Sequence, residues 1–106
     1  MTIEDDFARD MLSSAQEAKR ELRYNPTYWL RMMSDLGAVG AAKQLLRGPA
    51  VSEGFTRLWE EQRLDLSVEC FVLLPDYEPL FTAGERAEAR RRLREYKFDL
   101  SRVPKA

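Results

Sequence analysis

Residues 52–81 read SEGFTRLWEEQRLDLSVECFVLLPDYEPLF. Within them, Leu66 to Leu74 is apolar except for Ser67 and Glu69. A run so apolar with so few breaks is buried on most sides, and the rest of the chain has to cover it. Its pattern permits two readings. Leu66, Val68, Cys70 and Val72 alternate with Ser67, Glu69 and Phe71, which is the period of a strand. Helix is nevertheless the consistent choice, because the neighbouring segments pattern as helix and no second run offers a pairing partner. An isolated strand would leave its backbone N–H and C=O groups unmatched. The expectation is therefore a helix from about Leu66 to Leu74, stopped by Pro75. A helix from Glu53 to about Gln62 should precede it, capped by Ser52, with Phe55, Leu58 and Trp59 inward.

Towards the N-terminus, Gly48-Pro49 marks a sharp stop. Before it, Ala38 to Arg47 reads as a short helix with Val39, Ala42, Leu45 and Leu46 inward. The small residues at 37, 38, 40, 41 and 42 predict close approach of two helices. Gly37 separates this segment from another helix, from Pro26 to about Leu36, carrying Tyr28, Trp29, Met32, Met33 and Leu36. Asn25 is suited to its N-cap and Pro26 to its first turn. Thr2 to Arg23 reads as the first helix. Thr2 with Asp5 makes a capping box, and Glu4, Asp5 and Asp6 suit the positive end of the helix dipole. Ile3, Phe7, Met11, Ala15, Ala18 and Leu22 form one apolar stripe. Such a stripe serves either its own core or a second subunit.

Towards the C-terminus, Asp76 to Phe81 reads as a turn or short helix held by Tyr77, Leu80 and Phe81. Thr82-Ala83-Gly84-Glu85 is a capping box that opens a helix to about Tyr96, with Ala89, Leu93 and Tyr96 inward. Phe98, Leu100 and Val103 can tie down the tail. The fold class that follows is all-α, a compact orthogonal bundle of five or six short helices around a single core. The expected divisions are an N-terminal amphipathic helix (1–24), a helical core module (25–97) and a tail (98–106), all within one structural domain.

From Asn25 to Tyr96 the sequence runs NPTYWLRMM…LG…AAKQLL, then GFTRLW…RLDLSVE…VL, then LFT..E…A..RL. This order and spacing resembles a group of small bacterial proteins without an established activity. The resemblance implies a reusable bacterial module and transfers no catalytic residue, and the acidic first helix lies outside it.

Composition narrows the chemistry. The chain has 106 residues, no histidine, one cysteine (Cys70) and a formal net charge of −1. Ser/His/Asp and Cys/His catalysis, and zinc sites built from His and Cys, need residues that are not there. No phosphate-binding or dinucleotide-binding glycine loop is present. We expect no catalytic residue, no metal and no cofactor. Cys70 sits in the apolar run with no imidazole to activate it, and reads as a small buried hydrophobe. The unpaired cysteine and the acidic, signal-free opening predict a cytoplasmic protein that does not span a membrane. Near-neutral charge means that any nucleic-acid binding needs a local patch.

Two features remain as candidates. Glu69 is the lone charge inside the apolar run. A buried carboxylate needs a cation or several hydrogen bonds. Arg57 or Arg63 is the expected cation, exposure on a polar face is the other structural reading, and partner contact is the functional one. The last helix carries Arg86, Arg90, Arg91, Arg92, Arg94 and Lys97. Arg86, Arg90 and Arg94 repeat every four residues along one face. These, with Arg91 and Lys97, are the candidate contacts to a partner or to phosphate. The interleaved Glu85, Glu88 and Glu95, or the acidic stretch from Glu53 to Glu78, can instead neutralise them internally. The two helices joined at Gly37 superficially resemble a helix-turn-helix, with Lys43, Gln44 and Arg47 outward. The leading expectation is a non-enzymatic protein–protein interaction or adaptor module, self-associating or part of a larger complex. The alternative is a nucleic-acid-binding accessory protein using the same arginines.

Overall fold

The computed structural model describes residues 2–103; Met1 and the last three residues of the expected tail, 104–106, lie outside them. Five α-helices are present: α1 (Ile3–Leu22), α2 (Thr27–Arg47), α3 (Glu53–Glu60), α4 (Val68–Val72) and α5 (Ala83–Glu95). Short 3₁₀ segments lie at Leu64–Leu66, Pro75–Leu80 and Leu100–Arg102. No strand occurs among the described residues, so the fold is all-α. The Cα radius of gyration is 12.5 Å, matching the ~13 Å expected for a compact chain of about 100 residues.

The two expected capping boxes form. The hydroxyl of Thr2 accepts from the Asp5 amide while Asp5 accepts from the Thr2 amide, and Thr82 and Glu85 repeat the arrangement at α5. Ser52 caps α3 by accepting from the Phe55 amide. Thr27 begins α2, one residue later than expected, with Pro26 in the cap position. α2 is two helical arms joined at Gly37, whose φ of 77° and ψ of 161° fall in a region that only glycine occupies readily. Gly48 acts differently. Its φ of −64° and ψ of 152° are ordinary extended values, imposed by the proline that follows it.

The apolar run is helical but not one helix. Its first residue lies in the Leu64–Leu66 turn, the α-helical part is only Val68–Val72, and Leu73 caps it. Ser67 causes the break. Its hydroxyl accepts from the Cys70 amide and donates to the Leu64 carbonyl at 2.7 Å, so it ends one turn and starts the next helix. Ser67, Glu69, Cys70 and Val72 are all nearly closed to solvent.

α1 lays its stripe on this centre, with Phe7, Met11, Ala15 and Ala18 buried. Phe7 meets Tyr77 and Phe81 edge-on, with ring centroids at 5.1 and 5.3 Å. The Ser14 hydroxyl donates to the Leu66 carbonyl at 2.6 Å, and the Tyr77 hydroxyl donates to the Asp10 carboxylate. The stripe thus serves the local core rather than standing free for a second subunit. Of the small-residue cluster, Ala38, Ala41 and Ala42 are buried, while Gly37 is exposed and Gly40 half-buried.

The inward assignment of Trp59 does not hold, and two apolar residues of α2 are also open to water. Tyr28 is 72% exposed, Leu36 50% and Trp59 45%. The core needs only part of each apolar set: Met32 from the first arm of α2, and Phe55 and Leu58 from α3, are the buried members.

Candidate functional site: the two sides of helix α5

α5 sorts its basic residues by direction. Ala89, Arg92 and Leu93 are buried. At about 100° per residue, this places Arg92 at the edge of the inward face, and Arg90 and Arg94 on the outer flank.

Arg92 is the cation that Glu69 requires. Both residues are 1% exposed. Nη1 of Arg92 stands 3.3 Å from Oε2 of Glu69 and Nε donates to Glu88 at 2.6 Å. The remaining donors meet the carbonyls of Leu45 (3.1 Å), Leu46 (3.4 Å) and Gly48 (2.8 Å). One planar guanidinium therefore ties together α5, the start of α4 and the end of α2. Burial raises the Glu69 pKa above the usual carboxylate range, opposed by its own backbone amide at the start of α4 and by Arg92. Glu88 goes the other way: hydrogen bonds from Arg91 and then Arg92 hold it down to about 2.

The expected partners of Glu69 are engaged elsewhere. Arg57 pairs with Glu61 at 3.0 Å and donates to the Leu22 carbonyl that ends α1 at 3.2 Å. Arg63 holds Asp65, Glu17 and Glu21 at 3.0, 2.8 and 3.1 Å, fastening α1 to the loop after α3. Exposure of Glu69 on a polar face is likewise ruled out by its burial.

The candidate contact residues divide. The Arg86 side chain is 19% exposed. It donates to the Leu73 carbonyl at 3.3 Å and faces Glu78 at 3.8 Å, so it braces the fold rather than extending an outward row. Arg91 is exposed but bound by Glu88 and Glu95 at 2.7 and 2.8 Å. Arg90, Arg94 and Lys97 have no ion-pair partner among the described residues. Part of the arginine set is thus neutralised internally, by Glu78, Glu88, Glu95 and Glu69, and part is left over. The helix-turn-helix resemblance weakens, because Lys43 is held by Glu85 at 2.7 Å, leaving Gln44 and Arg47 exposed on that arm.

Beyond Arg94, α5 ends in a structure that sequence reasoning missed. Lys97 adopts a left-handed φ of 61°, while its amide donates to the Arg94 carbonyl and the Phe98 amide to the Leu93 carbonyl, both at 2.9 Å. α3 ends the same way at Gln62, with φ 59°, its amide meeting Trp59 O at 3.0 Å and the Arg63 amide meeting Leu58 O at 2.7 Å. Such closures normally use glycine, so no local signal marked them. Between the two helix ends lies a surface recess of ≈ 240 Å³ lined by Trp59, Gln62, Tyr96, Lys97, Phe98 and Arg102 among others. The Trp59 and Tyr96 rings meet edge-on at 5.3 Å, and the Arg102 guanidinium stacks over Phe98 at 5.1 Å.

A second cavity, of ≈ 60 Å³, lies between α1, α2, α3 and α4 and reaches Glu69, Ser67, Ser14 and Tyr24. It is far below the ~300–1,000 Å³ of small-molecule sites. Its one carboxylate is already committed to Arg92. Cys70 is buried, and burial pushes its thiol up to about 11, consistent with a packing role. No metal-binding group of three or more His, Cys, Asp or Glu residues occurs among the described residues. No helix there is long and apolar enough to cross a membrane. Comparison with models of known families, with characterised proteins and with solved structures gives no match to this chain.

Proposed function

We propose that this chain is a non-enzymatic protein–protein interaction module of the bacterial cytoplasm, working as an adaptor or as the small component of a larger complex. One observation carries the reading: Arg86, Arg91 and Arg92 each face an acidic side chain, whereas Arg90, Arg94 and Lys97 have no ion-pair partner among the described residues. Neutralising Arg86, Arg91 and Arg92 internally and leaving three cations in one sector fits a surface held ready for an acidic partner. Exposed Tyr28, Leu36 and Trp59 add the aromatic and apolar area that interfaces favour. The resemblance drawn above for residues 25–96 is the basis for treating that part as a reusable module. The nucleic-acid reading draws on the same three cations. It is the weaker one, because three phosphate contacts supply little affinity at physiological salt.

Affinity capture of the tagged full chain from its host, with and without nuclease, tests this. The expected result is a stoichiometric protein partner, a second copy included, retained after nuclease treatment. Retention of nucleic acid alone, with binding that falls steeply as salt rises, contradicts it.

A further inference from the structure

We propose that the recess between the ends of α3 and α5 receives an acidic segment of a partner protein, anchored by one bulky apolar side chain. The inference rests on the interaction reading above and names its site and ligand chemistry.

Shape and lining come first. The volume of ≈ 240 Å³ lies below the range of drug-sized ligand sites and suits a single large side chain. Trp59, Tyr96 and Phe98 make its walls aromatic, and Trp59 keeps 45% of its surface open to water. A half-exposed tryptophan beside a concavity is the kind of residue that dominates binding energy once covered.

Charge is the second observation. Asp65 is taken by Arg63 at 3.0 Å; Asp99, which accepts from the Ser101 amide and hydroxyl at 3.0 and 2.7 Å, stays ionised, so the lining sets Lys97 and Arg102 against one carboxylate. Lys97 has no partner among the described residues, Arg102 reaches Asp65 only at 4.0 Å, and Arg94 stands one turn before Lys97. Two helix C-termini also meet here, and bare carbonyls would repel an anion. Instead, the carbonyls of Leu58, Trp59, Leu93 and Arg94 accept the amides of Arg63, Gln62, Phe98 and Lys97, which lowers that repulsion.

The third observation is backbone conformation. The left-handed closures hold Gln62 and Lys97 where glycine would be less strained. Both of these side chains line the same recess. A residue kept in an unfavourable conformation at the edge of a concavity points to use of its side chain.

The test is selection of an unbiased dodecapeptide display library on the folded full chain, followed by synthesis of the consensus peptide. The expected consensus has one Phe, Trp, Leu or Met flanked by two or more acids. That peptide should shift the Trp59 indole N–H resonance, assigned through Trp59→Phe, and Lys97→Gly should weaken its binding at least tenfold while raising the melting temperature. A consensus without acids, no enrichment, or equal binding by Lys97→Gly overturns the proposal. So does a Trp59 shift produced only by a dodecamer of thymidylate, or only by raising the protein's own concentration. A host partner that still binds both Trp59→Ala and Lys97→Gly leaves the interaction reading intact and removes the recess from it.

Discussion

Arg92 and Glu69, from helices 23 residues apart in sequence, meet at 3.3 Å in the centre of the fold with both side chains shut off from water. The pair explains how a charge can sit in the most apolar run of the chain. It also sets the polarity of α5: Arg92 faces inward, Arg86 braces the fold beside it, Arg91 is bound by Glu88 and Glu95, and Arg90 and Arg94 lie on the outer flank.

Removing one partner of such a pair leaves a buried, unmatched charge. Arg92→Met should therefore cost about 3–5 kcal/mol in urea denaturation. Arg92→Lys should not rescue it, because a point ammonium cannot reach acceptors spread across a planar fork. In a Glu69→Gln background the cost of Arg92→Met should fall by about 1–3 kcal/mol, the coupling expected of neighbours in one network. Equal costs in the two backgrounds would assign Arg92 to Glu88 and the carbonyls alone.

Gly37 supplies the bend in α2. Nothing lies within 4 Å of a Cβ placed there, so a substitution meets strain without collision. Gly37→Ala should cost about 1–3 kcal/mol, through backbone conformation only. A neutral result would show that the two arms of α2 can straighten.

The left-handed closures predict the opposite sign. Lys97→Gly and Gln62→Gly should each raise stability by roughly 0.5–1 kcal/mol, relief of left-handed strain exceeding the added entropy of the unfolded chain. Thermal melts of the two variants, singly and together, measure this directly.

Glu88 sets an acid limit. Its folded pKa is held down to about 2, below the ordinary glutamate value of 4.5, so its contribution is present above about pH 4.5 and is lost as pH falls towards 2. In the wild type this adds a loss of stability across that interval. Glu88→Gln should be less stable at pH 7, and the gap to the wild type should close between pH 4.5 and 2. A gap that stays constant across those pH values would rule out this linkage.

Much of the architecture is legible in local chemistry. Thr2 and Thr82 announce helix starts because a capping box needs only residues three apart, and Gly37 announces a break because its conformation excludes other residues. What escaped depends on distance in sequence. Glu69 states that a cation is needed but not which one. A partial signal for Arg92 did exist: it lies about 60° around α5 from Ala89, at the edge of the inward face, but Arg86 lies equally close on the other side. The recess escaped because its closures use Gln62 and Lys97 rather than glycine, and because Trp59 shares its helical spacing with Phe55 and Leu58. Periodicity alone cannot separate a core tryptophan from one left half open.

Under the proposal, Arg86 and Arg92 of α5 serve the fold, while Arg90, Arg94 and Lys97 serve a partner. The most direct measurement is quantitative capture of the host partner by the wild type and by Arg90→Glu with Arg94→Glu, each with its melting curve. The account predicts an unchanged melting temperature and loss of the partner by at least tenfold. Full retention of the partner by a folded double variant would contradict it.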